Sequence, residues 1–431
     1  MRIRVVVTVA TLAAGRHCIA QDVSVMAQAI PLVTSARPTA TRLDVSEGYL
    51  TQPLVMTHAS WAGFIGIATL NAEGLTLKRG ELNTGGYGEG YVDRRHPHSY
   101  VHELLAGHDF FTGDQANDHW SFSTFAGRGF VPFGSDDPMV RPFEKYPVDH
   151  HLSQVLERLV AIGAARYGPA IAEFGTFNGD EPLGPGAPPN VSRFGDSWST
   201  RLTMLPSSPI EISGSFADVR SPEVRVGRGL DQLKSNVYAR YDRSFAAGRD
   251  YALVEWSRTN ERDGNVTITR LGSVLAEGSV CRLDVIAAGR WERADRPEEE
   301  TTLDPFRTPR PSADLSNLGV SRWTTLTGGL AAPRFGVHVA GARPFVEVAY
   351  ITAARGNPGG LFDPALRYGA SHMWMLSAGI RLRAGQMHGR MGRYGVAVPD
   401  AMAGMSMPGM AGMPGMQHSQ PTQQPADRCE Q

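Results

Sequence analysis

An all-β fold is what the sequence predicts: an antiparallel transmembrane β-barrel of about 14–16 strands with short periplasmic turns and long external loops. Three observations carry this expectation. The chain begins with an export signal, and most of it divides into runs of about 10–14 residues that alternate in polarity. The connections between those runs are short and long by turns.

At 431 residues the chain is long enough for several average soluble domains or for one large all-β unit. Its 42 Lys+Arg against 43 Asp+Glu leave no global field, which argues against a nucleic-acid partner. Arg2 and Arg4 precede an apolar run from Val5 to Gly15, and Cys18-Ile19-Ala20 offers a cleavage site before Gln21. Residues 1–20 therefore read as a signal peptide. Gly15-Arg16-His17 before Cys18 does not fit lipidation. Cleavage leaves Cys281 and Cys429, too few for a disulfide-dense scaffold or a multi-cysteine zinc site. No later apolar run reaches the length of about 18 residues that a transmembrane helix needs.

Residues 21–57, with Pro31, Pro38 and Pro53, read as an irregular lead-in with one strand near its end. The barrel is expected over 58–396. Its clearest run is Met373–Arg383, where Trp374, Leu376, Ala378, Ile380 and Leu382 share one face and Met375, Ser377, Arg381 and Arg383 the other. In Cys281–Glu292, the face of Cys281, Leu283, Val285, Ala287 and Trp291 opposes Arg282, Asp284, Arg290 and Glu292. A β-sandwich also alternates, but charge on one face and apolar residues on the other fit a water-filled lumen inside a lipid-facing wall. Weaker runs lie at 98–110, 119–128, 169–178, 193–205, 210–219, 232–245, 250–259, 266–277, 318–328 and 334–350. Leu152, Val155, Leu156, Leu159 and Val160 have helical spacing, yet 152–166 sits between barrel-like neighbours and is read as a strand.

Short links at 111–118, 168, 206–209, 246–249, 278–280 and 329–333 alternate with long ones at 83–97, 129–151, 179–192, 220–231, 260–265, 294–317 and 352–370. That places the long links outside and the short ones in the periplasm. With 59–70 and 75–82 as two strands the total is fifteen. Single-chain bacterial barrels have even numbers, so either 41–57 holds one more or 59–82 is one bulged strand. From 397 to 431 the chain reads as a disordered, periplasmic, Met-rich tail.

Three pieces resemble a family of uncharacterised bacterial outer-membrane β-barrel proteins. They are Gly90-Tyr91-Val92-Asp93-Arg94-Arg95-His96-Pro97-His98 with Val101-His102-Glu103-Leu104; Phe174-Gly175-Thr176-Phe177-Asn178-Gly179-Asp180-Glu181-Pro182; and Ser197-Trp198-Ser199-Thr200-Arg201-Leu202 with Arg220-Ser221-Pro222-Glu223. The similarity extends over about 58–396, to Gly389-Arg390-Met391-Gly392-Arg393-Tyr394-Gly395. Members often accompany copper- and heavy-metal-resistance determinants, so the resemblance implies the outer membrane as location, lipid and the barrel-assembly machinery as partners, and soft metal ions as a context. A barrel of this kind ends on an aromatic residue, whereas this chain runs 37 residues past Tyr394. An internal assembly signal around Leu376–Tyr394 is then expected.

The densest chemistry lies in Asp93–Glu103. His96 and His98 can present two imidazoles to one side of an extended segment at the external rim, and His150 and His151, with Asp149, lie at the end of another external loop. The bland reading is a hydrogen-bonded network fixing a loop to the wall, because no tetrahedral-site spacing is present. Alternation puts His102 on the face of Tyr100, with Glu103 on the other. His108 and His119 flank a periplasmic turn and read as structural. In the tail, Met402, Met405, Met407, Met410, Met413 and Met416 precede His418. Thioethers are soft donors for Cu(I) or Ag(I); the bland reading is a low-complexity linker. No Gly-x-Ser-x-Gly elbow, His-Glu-x-x-His pair or phosphate-binding loop singles out an enzyme, and Gly85–Gly90 opens no helix. The expected function is a channel or metal-handling barrel for copper-like ions. The alternatives are a non-transporting structural or binding barrel, and a secreted β-protein with an unassigned activity.

Overall fold

The computed structural model describes residues 22–39, 42–77, 81–82, 99–111, 120–135, 141–148, 150–299, 317–337, 340–356, 362–385, 390–399 and 429. Seventeen strands lie among them. They are β1 (Asp22–Arg37), β2 (Val45–Trp61), β3 (Phe64–Asn71), β4 (Val101–Phe111), β5 (Trp120–Gly129), β6 (Arg158–Tyr167), β7 (Ala170–Phe177), β8 (Ser197–Ser207) and β9 (Ile210–Val219). They continue as β10 (Asp231–Phe245), β11 (Gly248–Asp263), β12 (Val266–Arg282), β13 (Val285–Glu299), β14 (Asn317–Ala331), β15 (Phe335–Val337), β16 (Ala340–Arg355) and β17 (His372–Gly385). Three short helices, α1 (Glu73–Thr76), α2 (His150–Ser153) and α3 (Pro364–Tyr368), sit in the links.

All pairings are antiparallel, and β1 pairs with both β2 and β17, which closes the sheet into a barrel. β15 pairs only with β16, while β14 pairs directly with β16, so the closed wall has sixteen strands. Closure leaves the sixteen wall strands without a free edge, and only the three-residue β15 keeps one among the described residues. One end carries the two-residue turns 62–63, 168–169, 208–209, 246–247 and 283–284, together with 112–119 and 332–339. The opposite end carries the long links 72–100, 130–157, 178–196, 300–316 and 356–371 with 38–44, 220–230 and 264–265. Turn chemistry follows strand twist: Ala62-Gly63 and Leu283-Asp284 have positive φ at both positions, as a type I′ hairpin requires.

The exterior is apolar because alternate residues point out. On β17, Trp374, Leu376, Ile380 and Leu382 are exposed while Met373, Met375, Ser377 and Arg381 are buried, as the sequence pattern predicts. Trp61, Phe64, Phe110, Trp120 and Tyr167 form an exposed aromatic girdle beside the short turns. Phe174, Trp198, Trp256, Trp291 and Trp374 lie outward toward the other end. No helix among the described residues is long and apolar enough to cross a membrane.

Several expectations are corrected. The supposed irregular lead-in, 21–57, contains all of β1 and most of β2. Both faces of β1 are largely apolar, since Met26, Ile30 and Leu32 point inward opposite Val23, Val25 and Val33, which hides its alternation. Its Pro31 stands just past the register shift between Gln28 and Ile30, where a ladder tolerates proline. The run 59–70 spans the hairpin turn between β2 and β3, and 75–82 is not a strand. There the Glu73 carboxylate accepts from Thr51 Oγ1 (2.9 Å) and the Gln52 amide (2.8 Å), holding α1 inside the wall. Sixteen strands are reached: the strand expected within 41–57 is β2, which runs on to Trp61, the run 59–70 is mostly β3, and β1 takes the place of 75–82. In 152–166 the strand starts only at Arg158; of the helically spaced residues Leu152 alone lies in α2, Val155 and Leu156 lie in the link, and Leu159 and Val160 lie in β6. Cys281–Glu292 is a hairpin, so Cys281 faces inward and Leu283 sits at the turn tip, 92 % exposed. The wall ends at Gly385, short of 396.

Candidate functional site: the packed lumen

Inward charge is present as expected, but it is not lining a water-filled channel. Arg141 and Arg201 are each 1 % exposed, and Glu255 and Glu298 are 0 % exposed. Arg201 grips Glu173 with two hydrogen bonds of 2.6 Å, the forked geometry that makes guanidinium–carboxylate pairs strong. Arg290 reaches Glu277 (2.8 Å) and Arg296 reaches Glu298 (2.7 Å). Ions so fully removed from water persist only when paired and hydrogen-bonded. The lumen at these positions is packed.

Two segments of the chain fill it. The first is the link 130–157, which turns inward after β5. Phe130, Val131 and Phe133 join the largest apolar cluster with Val155 and Val160. Arg141 then reaches Glu255 on β11 (3.0 Å), and the Arg290 guanidinium stacks 4.5 Å from the Phe143 ring centroid. The Glu144 amide donates to Glu347 (2.7 Å), and the Val148 amide to Glu292 (2.7 Å). Lys145 pairs with Glu81 (2.7 Å), and the Glu144 carboxylate pairs with Arg381. Burial still holds the Glu144 carboxyl above its ordinary value, against the opposing pull of Arg381. The link thus touches β11, β13, β16 and β17 across the barrel.

The second segment is 390–398, of which 390–396 belong to the expected barrel and 397–398 to the expected tail. It lies inside. Gly385 ends β17 on the short-turn side, and the segment carries Arg390 to Glu211 (2.7 Å) and Arg393 to Glu173 (2.9 Å) and Glu211 (2.7 Å). Arg393 also meets Thr203 (3.1 Å) and Tyr238, while Arg201 donates to the Gly392 carbonyl (2.8 Å). Burial opposes the charge on Arg393, but Tyr238, Glu211 and Glu173 outweigh it and hold the guanidinium above its ordinary pKa. Tyr394 is the apex: its hydroxyl donates to Glu103 (2.8 Å) and accepts from the Phe130 amide (3.0 Å). The chain then turns back, with the Val396 amide on Ser123 (3.2 Å) and Ala397 packed on Ala164 and Ile171. Farther on, Cys429 forms a disulfide with Cys281 at the short-turn end of β12.

The expected histidine group is only partly described. His96, His98 and Asp149 lie outside the described residues, as do Met402, Met405, Met407, Met410, Met413, Met416, His418 and the proposed signal peptide. His150 and His151 share α2, with ring centroids 4.2 Å apart, and His150 Nδ1 lies 2.9 Å from the Pro147 carbonyl. His102 and Glu103 do not alternate: a register shift between Thr69 and Leu70 buries both. His102 pairs with Glu157, whose carboxylate also accepts from Ser99 (3.1 Å), while Arg128 donates to the Ser99 hydroxyl. Asp93, Arg94 and Arg95, the other members of the expected loop network, also lie outside the described residues. Among the described residues no group of three or more His, Cys, Asp or Glu is placed to hold a metal ion.

Arg141, Arg201, Glu173, Glu211 and the Arg390/Arg393 pair were not singled out from sequence. Only the last carried a signal, two arginines three apart with glycines beyond the final strand. Between the links on the long-link side, a vestibule of about 790 Å³, including its solvent-open part, is lined by His151, Glu181, Glu223, Lys234 and Glu261.

No family model and no curated protein matches the chain. Among solved structures it is similar to an anion-selective porin from Comamonas acidovorans, at 10 % identity over 85 % of this chain and 99 % of that one, with a TM-score of 0.46. It is similar to the trimer form of OmpT, an outer-membrane protein of Vibrio cholerae, at 9 % identity over 85 % and 99 %, with a TM-score of 0.46. A third is OccK2 (OpdF) of Pseudomonas aeruginosa in complex with glucuronate, at 7 % identity over 86 % and 100 %, with a TM-score of 0.38. The expected link to copper-resistance determinants finds no support in these comparisons.

Proposed function

We propose that the protein is a porin-like barrel of the bacterial outer membrane that narrows its own conduit with the link 130–157 and closes what remains with residues 390–397. An apolar exterior bounded by exposed aromatic residues supports the membrane location, with short turns toward the periplasm. The observation that carries the closed state is the Arg390–Tyr394 segment within the lumen, tied to Glu173, Glu211 and Glu103. It enters from the short-turn side and follows the last wall strand, so it can leave without breaking the wall. Passage of solute then requires its displacement.

Planar-bilayer conductance tests this on the full chain. The wild type should stay near baseline, and Arg390→Ala/Arg393→Ala should open steps several-fold larger, with heat-modifiable gel migration confirming that both are folded barrels. A wild type that conducts as readily as the double variant would sink the closed-state reading.

A soft-metal role for the tail is a second reading, supported by its anchorage. The flanks of the Met402–His418 segment, Ala397 and Cys429, are both held near the short-turn mouth. Six thioethers between these two anchors in sequence offer soft donors for Cu(I) or Ag(I).

A further inference from the structure

The outward positions of most strands toward the long-link side are apolar or aromatic, but four adjacent strands break this pattern. On β11 the outward series Ala252, Val254, Trp256 continues to Arg258, and on β13 Val285, Ala287, Trp291 continues to Arg293 and Asp295. β12 contributes Arg270 beyond Val274, and β14 contributes Arg322 beyond Leu326 and Thr324. Registry brings them together. Arg258 faces Gly272 and Asn260 faces Arg270, while Val274 faces Arg293 and Asp295 faces Arg322. The Gly272 amide donates to Asp295 (3.3 Å), locking β12 to β13 at the centre of the group. At about 4.8 Å between strands and 3.3 Å per residue, the patch measures roughly 14 by 13 Å.

Arg258, Arg270 and Arg293 are exposed. Arg322 spends one donor on Asp295 (2.8 Å) and Arg258 one on Asn260 (3.2 Å). Arg270 and Arg293 make no hydrogen bond or ion pair among the described residues. One carboxylate therefore stands against the four guanidiniums of this patch, whereas the neighbouring charges at the long-link rim, Arg262 with Asp218 and Arg220 with Asp231, are paired. Trp256 and Trp291 sit directly beside the arginines, and tryptophan marks the headgroup level of a membrane. A guanidinium fork binds a phosphate with two parallel hydrogen bonds, and the exterior of a membrane barrel meets lipid.

We propose that Arg258, Arg270, Arg293 and Arg322 form a site for the phosphate groups of an anionic lipid in the leaflet on the long-link side. The site rests on the membrane reading above, and it adds a lipid contact that reading does not require. Asp295 orients Arg322, leaving Arg270 and Arg293 as the two free forks for a headgroup carrying more than one phosphate.

The probe is bis-phosphorylated lipid A, added to the full chain in zwitterionic micelles and followed by native mass spectrometry. The wild type should retain it, and Arg270→Gln/Arg293→Gln should retain it about tenfold less, as expected for losing charge-assisted hydrogen bonds. Arg270→Lys/Arg293→Lys, which keeps the charge but not the fork, should fall between. Lipid A stripped of phosphate should not be retained, and excess inorganic phosphate should not displace the intact lipid. Equal retention by wild type and the Gln variant overturns the site, and so does full displacement by inorganic phosphate. Both positions are exposed, so heat-modifiable migration of the variants should match the wild type. A wild type that shows no heat-modifiable barrel fails the membrane reading itself, whereas a folded barrel that retains no lipid A fails only this site.

Discussion

Arg393 donates to Glu173 at 2.9 Å across 220 residues of sequence, tying a segment beyond the last wall strand to the middle of β7. The same guanidinium holds Glu211 on β9. Arg393→Ala would leave two buried carboxylates sharing Arg201 and Arg390 alone. Removing one member of a buried ion pair costs about 3–5 kcal/mol, so the urea midpoint of the refolded barrel should drop clearly. An unchanged midpoint would mean that the segment contributes nothing to the fold.

The cysteines give a counting test. Cys281 and Cys429 are disulfide-bonded, and the remaining cysteine of the three is Cys18, ahead of the proposed cleavage point. Mature protein denatured without reductant should expose no thiol, and reduction should expose both. Cys429→Ser should lower stability by about 2–4 kcal/mol, the usual range for such a cross-link. One reactive thiol before reduction would show that Cys18 is retained; two would show that the cross-link is absent.

Glu144 sets a pH dependence. Its pKa is raised by burial, so the folded state binds its proton more tightly than the unfolded state does. Its contribution to stability is greatest below the ordinary carboxylate pKa of about 4.3 and is lost as pH rises through the raised value. Glu144→Gln should therefore flatten part of the decline in unfolding midpoint above that pH. Superimposable profiles for the two proteins would refute this assignment.

For the tail, Cu(I) titration should distinguish a ligand from a linker. Replacing Met402, Met405, Met407, Met410, Met413 and Met416 with Leu and His418 with Ala keeps chain length and the disulfide. Bound Cu(I) should fall by at least one equivalent per chain, since three or four soft donors suffice for one ion. Equal stoichiometry would remove the tail from any metal role.

Strands with a polar lumen face and an apolar lipid face were legible in the sequence; β8 to β11 and β17 lie close to their expected runs. β1 was not, because its inner face packs on Leu54 and neighbours instead of charge, erasing the alternation. The turn expected at 278–280 lies instead at Leu283-Asp284, because leucine at a turn tip continues the apolar series of its neighbours. For the lumen, alternation along β7 and β8 sets charges such as Glu173 and Arg201 on one face without saying what meets that face. Only the path of 130–157 and 390–398 shows them buried, and a loop's inward course leaves no periodic trace in sequence. At His102 and Glu103 the alternation read from sequence fails, because the bulge between Thr69 and Leu70 leaves no mark in the residue pattern.

Because Arg390 to Ala397 follow β17, closing the wall and neutralising its interior depend on different parts of the chain. A chain ending at Gly385 would keep every wall strand, yet leave Glu173 with Arg201 alone and Glu211 with neither of its arginines. Truncation past the last strand would thus spare the outline of the barrel and unbalance the charge inside it.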